Sequence, residues 1–559
     1  MEWRKKEPVK PYSEFDGIHT KLASIHGIND VQRFLYPTED QLHSPYLLKN
    51  IELARDRIAE AIKIKKKISI FSDPDSDGVC STAIMYNYLK TKTSNVTYFS
   101  SERSSGHGIS SAMDKLPKGT DLLIILDSSS NEYEECRLIQ EKNINIIILD
   151  HHLIDHDNPY CILVNPQQAD CRYPNKNISG AVVTWKVCQA LDDYFNTGFS
   201  ETLFDVMSIG LTGDVLSLLE EENRYIVYKG INNIRNIGIK ALLNVLKKDT
   251  SKITSSDISY TLAPCINASC RLDSINTILS LLIETSNVKA DQLAKDVVDM
   301  NERRKKTQKE YHDKLLPQVN ESDKCSIIID NQIGAGYRGL VAGVLCEEFQ
   351  KPIMILSEDE EDTYSGSYRF YGESNFKQFL NDIPEVIYAA GHATVGGVKF
   401  KRNDIDKIKK YLNDNLSDTN EDQYLEYVME FQVEELNESL VKKIESFYSL
   451  SGQGFETGKF LIRNIRPQKK EILGKDKNTV KISCTPMSKS YFYDDDELLK
   501  MTPSATLMKF RTNEEYFDDS YIGKEIEVVG TLNLNAYTNF KKQITKTIQV
   551  FIEDFRIIN

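Results

Sequence analysis

The apolar positions of this chain fall into two patterns, and their alternation sets the fold class. Short continuous runs rich in β-branched residues occur at 68–71, 96–99, 121–126 and 144–149. Such runs predict strands buried on both faces, as in a parallel sheet. Between and around them, 51–65, 79–90, 131–142 and 180–191 carry apolar residues at helical spacing with polar residues between. Strand and helix alternate, so the pattern predicts an α/β, doubly wound domain. Its ligands belong at the carboxyl ends of the strands.

Three of the runs end in acid. The first leads into Asp73-Pro74-Asp75-Ser76-Asp77-Gly78, the third into Asp127-Ser128-Ser129, the fourth into Asp150-His151-His152. In an extended segment Asp73, Asp75 and Asp77 fall on one side. So dense a like-charge cluster is costly unless a cation neutralises it. A calcium loop would need a glutamate near 82–85, and none is there. Three strand ends with aspartate, histidine added, read as a di-metal or phosphate site. Carboxylates with imidazole suit Mn²⁺ best, then Mg²⁺, with Zn²⁺ disfavoured in the absence of thiolates. Taken singly, each motif also reads as a solvated turn or a structural strand end. Asp214, in 208–215, taken alone reads as a helix or turn residue.

Composition narrows the partners. The 559 residues suggest three or four domains, and 40% hydrophobic with 27% charged residues is a soluble globular composition. A net charge of −14 gives no global attraction to nucleic acid, so a polyanion must be held by local basic patches or bound metal. Ten scattered cysteines without a Cys-x-x-Cys pair lead us to expect reduced thiols and a cytoplasmic protein. No apolar run approaches a membrane span, and the first residues lack the apolar segment of a secretory signal. Residues 1–45, broken by Pro37 and Pro45, read as an N-terminal appendage. The acidic stretch 413–437 reads as a linker and helix that would repel DNA. In 457–481, Lys459, Arg463, Arg466, Lys469, Lys470, Lys475, Lys477 and Lys481 face only Glu471 and Asp476 as acids. Lys541, Lys542 and Lys546 lie near Tyr537 and Phe540. Basic strands with interleaved aromatics suit single-stranded nucleic acid.

Taken in order, DPDSDG, LIILDSSS, ILDHH and GLTGDV resemble the four motifs of the DHH phosphoesterase superfamily. NPQQADCRYPNKNISGAVVTWK, EENRYIVYKGI and LAPCINASCRLDS narrow the resemblance to the RecJ single-strand DNA exonucleases. GAGYRGLVAGVLCEEFQKPIMIL, GSYRF and AAGHATVGGVKF resemble that family's DHH-associated domain. LSGQGFE and VVGTLNLNAYTNFKKQ resemble its OB domain. The resemblance implies a DHH catalytic domain (46–288), a connecting helix (289–320) and a DHH-associated domain (321–412). An acidic linker (413–448) and a β-rich OB-fold domain (449–559) would follow. It further implies 5′→3′ exonuclease action on single-stranded DNA in repair and recombination, alongside a helicase and a single-strand-binding protein.

By resemblance, Asp73, Asp75, Asp77, Asp127, His151 and Asp214 hold two Mn²⁺ or Mg²⁺ ions, and Asp150 orients a ligand. His152 contacts the phosphate or assists proton transfer, so Asp75, Asp77, Asp150, His151 and His152 form the expected catalytic set. Arg103, Arg271, Ser367, Arg369 and His392 match phosphate-holding positions. Lys459, Arg463, Arg466, Lys469, Lys470, Tyr537 and Phe540 are the expected nucleic-acid contacts. The chain departs from the family pattern at Ser128-Ser129, usually Cys-Gly, and at Cys265, usually Arg. It departs again in the Gly-Gly-His loop, here Ala390-Gly391-His392. Two rivals are a DHH phosphoesterase of short oligonucleotides or cyclic dinucleotides and a catalytically silent DNA-binding relative. The OB-like tail argues against the first and the retained acids against the second.

Overall fold

A computed structural model describes residues 2–558 apart from 102–106, 273–274, 360–361, 373–374, 417–423, 475–476, 487–504, 511, 513–515, 517 and 539–543. At its centre is a five-stranded, all-parallel sheet. In spatial order its strands are Val96–Ser100, Ile68–Ser72, Leu122–Leu126, Asn145–Leu149 and Ile162–Val164. The apolar runs are continuous because alternate residues enter different cores. Ile70, Ile124, Leu126, Ile147 and Leu149 join one cluster, and Phe71, Leu123, Ile125, Ile146 and Ile148 join the other. The strand order reverses between Ile68–Ser72 and Leu122–Leu126, which places the switch point of the sheet there.

The helix Asn287–Leu315 spans about 44 Å at 1.5 Å per residue and leads to a second, mixed five-stranded sheet. Its strand order is Val386–Gly391, Val395–Lys401, Thr363–Arg369, Ile353–Glu358 and Ser326–Ile329. Near the C-terminus, Phe460–Leu473, Thr479–Pro486, Ala505–Phe510, Ile544–Ile557 and Ile526–Thr538 pair in that order. Pairing of the last with the first closes a five-stranded barrel. A five-stranded Greek-key barrel is also the architecture of an OB domain.

Two readings of the connecting segments change. Residues 1–45 are not a loose appendage. Leu22, Ala23, Ile25 and Phe34 are buried in one cluster with Phe447, Phe460 and Val528 of the C-terminal part, and Glu2–Lys5 pairs in parallel with Tyr424–Tyr427. The expected helix of the acidic linker is in part strand: Tyr424–Tyr427 and Met429–Gln432 are extended, and the latter adds to the barrel sheet beside Phe460–Leu473. Both changes come from partners outside the segment itself, in the apolar cluster of the C-terminal part and in neighbouring strands. Among the described residues no helix is long and apolar enough to cross a membrane.

Candidate metal and phosphate site

Strand register assembles the site. Ser72 pairs with Leu126, and Leu126 with Leu149, so the next residues, Asp73, Asp127 and Asp150, leave the sheet side by side. Asp75 caps the helix Ser76–Lys90 by accepting from Gly78 N–H at 3.1 Å. Asp77 lies in the first turn of that helix. It accepts from Gly180 N–H at 2.6 Å and Ala181 N–H at 3.1 Å, at the start of the helix Gly180–Phe195. A helix N-terminus stabilises a carboxylate in this way. Asp214 caps the C-terminal end of the helix Phe204–Gly213 and brings a further carboxylate to the same edge.

These groups converge on His151. Its Nε2 stands 3.3 Å from Asp127 Oδ1, 3.4 Å from Asp214 Oδ2 and 3.9 Å from Asp77 Oδ2. Asp127 Oδ1 and His151 Nε2 are both buried without a hydrogen-bond partner among the described residues. Burial, then the charges of Asp77, Asp75, Asp214 and Asp73, push the Asp127 carboxyl well above the carboxylate range. Burial and then Asp77 and Asp75 do the same to Asp214. Asp77 is also raised, with burial outweighing the opposing charge of His151. Burial pushes His151 down. Ligand atoms lie within 4.8 Å of one another in three sets: Asp73, Asp75 and His107; Asp77, His151 and Asp214; and Asp127, Asp150, His151 and His152. Mutually repelling carboxylates with orphaned buried atoms fit divalent cations.

Both oxygens of Asp150 are already engaged by hydrogen bonds. Its Oδ1 accepts from His151 N–H at 2.7 Å and from His152 Nδ1 at 2.7 Å, and its Oδ2 accepts from Ser130 Oγ at 2.6 Å. Burial opposes ionisation, but the hydrogen bond and charge of His152 outweigh it and hold Asp150 below the carboxylate range. His152 is lowered by burial and raised more strongly by its bond to Asp150, to about 9. Its side chain is 52% exposed.

Several supports escape a reading of motifs. His107 Nδ1 is 2.7 Å from Asp73 Oδ2. Asn267 accepts from Ser76 N–H, and Asn165 donates to Ser130 Oγ. Three glycines are cradles. A Cβ on Gly180 would lie 2.5 Å from Asp127 Oδ1, one on Gly210 2.6 Å from Asp77 Oδ1, and one on Gly78 2.4 Å from the Asp73 carbonyl. Asp-rich motifs carry no sign of these approaches; only Gly78, in the first turn of a helix inside such a motif, offered a signal. Ser129 has φ +72°, the left-handed backbone for which glycine is the usual choice, and that backbone does not explain the serine.

Among the other expected contacts, Arg271 Nη1 reaches the Gly336 carbonyl of the second lobe at 2.8 Å. Arg369 lies against Gly339, donates to its neighbour's carbonyl, Tyr368 O, and ends a strand in which Ser367 pairs with Gly397. His392 donates through its N–H to Val395 O at 2.8 Å, and its carbonyl accepts from Tyr368 Oη. Burial and then the charge of His152 lower His392. Cys265 is buried and accepts from Asn301 Nδ2 at 3.2 Å. Arg103 and Phe540 lie outside the described residues, as does the side chain of Tyr537. In the barrel the count of two facing acids is corrected. Arg463 pairs with Glu430 at 3.2 Å and Glu527 at 3.0 Å, and Lys470 with Asp519 at 2.6 Å. Lys469 pairs with Glu471 but is 69% exposed, and Arg466 donates to the Gly523 carbonyl at the surface. Lys459 is half-buried.

Residues 67–211 match the DHH family, N-terminal domain, and the fold and site resemble that class. Over nearly its whole length the chain is similar to RecJ proteins. It is 26% identical over 568 residues to the single-stranded-DNA-specific exonuclease RecJ of Bacillus subtilis, covering 97% of this chain and 70% of that protein. It is 26% identical over 509 residues to RecJ of Haemophilus influenzae, covering 84% and 87%. The fold superposes on the crystal structure of RecJ in complex with Mn²⁺ from Thermus thermophilus with a TM-score of 0.76, at 19% identity, over 97% of this chain and 76% of that one.

Proposed function

We propose that this protein is a metal-dependent exonuclease that hydrolyses single-stranded DNA from its 5′ end to mononucleotides, in DNA repair and recombination. The observation that carries the reading is the edge cluster, where the orphaned buried atoms of Asp127 and His151 stand beside two more carboxylates, Asp77 and Asp214. Asp73, Asp75, Asp77, Asp127, His151 and Asp214 would hold two Mn²⁺ or Mg²⁺ ions. When bound, such ions activate a water at neutral pH and neutralise charge on the phosphoryl group. The chain's own residues do the rest. Asp150 fixes the ring of His152, and His152, raised to about 9, keeps a proton at neutral pH that it can deliver to the leaving oxygen. Arg271 and Arg369 approach from the two lobes and suit bidentate phosphate binding. The exposure of Lys469 and Arg466 on the barrel supports a contact with the strand. A helicase and a single-strand-binding protein are the expected partners, and the cytoplasm the expected location.

The test is digestion of single-stranded DNA labelled at either end, with Mn²⁺, Mg²⁺ or EDTA, using wild type beside Asp150→Ala. Metal-dependent release of a mononucleotide from the 5′ end, lost in the variant, is expected. Intact DNA under every condition would overturn the reading.

A further inference from the structure

The backbone next to Asp214 is held in a rare conformation. Val215 has φ +58°, where a β-branched side chain crowds the backbone, and it is the sole β-branched residue in that region among the described residues. Its side chain is 61% exposed, so packing of Val215 itself does not hold it there. Val215 N–H donates to the Thr212 carbonyl at the helix end, and the segment that follows is fastened by residues 449–455, some 235 positions later in the chain. Leu218 N–H donates to Gln453 O at 3.3 Å. The buried Arg224 donates to Leu218 O at 3.4 Å and to Leu450 O at 3.2 Å, tying both segments to one guanidinium. Ser255 Oγ fastens the same turn through Ser451 O at 2.5 Å. Leu218 is buried against Gly452, where a Cβ would come within 3.1 Å of Leu218 Cδ1.

We propose that the 449–455 turn is a clamp that keeps Val215 in its left-handed conformation and thereby positions Asp214 for a cation. The C-terminal module then supports the metal site as well as the DNA strand. A strained backbone persists only where its surroundings over-determine it, and this turn supplies those surroundings. Glycine adopts the same φ without cost, so a glycine at 215 would make the clamp dispensable. Val215 and Leu218 are positioning residues, and the proposal rests on Asp214 being a ligand.

The experiment is Mn²⁺ titration of the full chain by calorimetry, without DNA, with circular dichroism as the check on folding. Gly452→Val pushes Leu218 away and is expected to weaken Mn²⁺ binding about tenfold. Adding Val215→Gly to it is expected to restore wild-type affinity. Wild-type binding by Gly452→Val overturns the clamp, as does a loss that Val215→Gly fails to rescue, which would mark general damage. Leu218→Ala, with the same rescue, replaces Gly452→Val if that variant does not fold. Asp214→Asn separates the two readings: unchanged Mn²⁺ affinity there would defeat the ligand assignment itself, while a loss there beside an intact Gly452→Val would defeat only the clamp.

Discussion

Asp127 Oδ1 and His151 Nε2 stand 3.3 Å apart, both buried, and neither has a hydrogen-bond partner among the described residues. An unsatisfied buried polar atom costs free energy, and here two face each other amid like charges. The arrangement is stable in proportion to what a cation contributes.

Asp127→Asn should therefore act in opposite directions with and without metal. In EDTA a neutral amide replaces a carboxyl whose ionisation burial and neighbouring carboxylates oppose, and the domain should melt about 2–4 °C higher, the shift expected for ~1 kcal/mol in a domain of its size. Mn²⁺ at a hundred times its dissociation constant should stabilise wild type by about 2.7 kcal/mol and the variant by much less. Differential scanning calorimetry reads both arms. A variant that melts lower in EDTA, or keeps the full Mn²⁺ shift, would contradict the account.

Gly180→Ala should silence the enzyme through one methyl group. The new Cβ would lie 2.5 Å from Asp127 Oδ1 and 2.8 Å from Asp127 Cβ, both in the packed interior. Asp127 must move, and Asp77 loses the geometry of its 2.6 Å bond from the Gly180 N–H. Loss of metal affinity of about 10–100-fold, the usual cost of disturbing groups that orient ligands, is expected from Mn²⁺ titration. Binding equal to wild type would show that the cradle has more room than the structure gives it.

His26 should give the N- and C-terminal parts a shared pH dependence. Its Nε2 is 2.9 Å from Tyr448 Oη, and its ring packs beside Phe447 and Phe455. Burial, then the charge of Lys6, holds its pKa down to about 4, against 6.5 when exposed. Between these values the unfolded chain binds a proton that the folded one does not, so stability rises with pH. The contribution is present above 6.5 and lost as pH falls through about 4. Thermal melts should show wild type losing several degrees over this window and His26→Phe losing less. Parallel curves for the two proteins would rule out His26 as the source.

Much of the acidic cluster at the sheet edge was legible in the sequence, and the reason is steric. A strand buried on both faces admits only apolar residues, so its carboxyl end is the first place a carboxylate can stand. That rule located Asp73, Asp127 and Asp150 beyond their apolar runs, with the helices between the strands. Other features could not be read because their causes lie far along the chain. Only packing of the helix Phe204–Gly213 against its neighbouring helices brings Asp214 beside His151. Only tertiary packing turns Gly180 and Gly210 into cradles and closes Asp73 with His107. The same holds for Arg463 and Lys470, basic in sequence but paired in space, and for residues 1–45, which fold against a barrel formed by the last hundred residues. The sequence alone determined which residue types stand at each strand end, since burial dictates them locally. The tertiary structure alone decided which of those residues meet, because distance through space is set by pairing between segments that local pattern does not link.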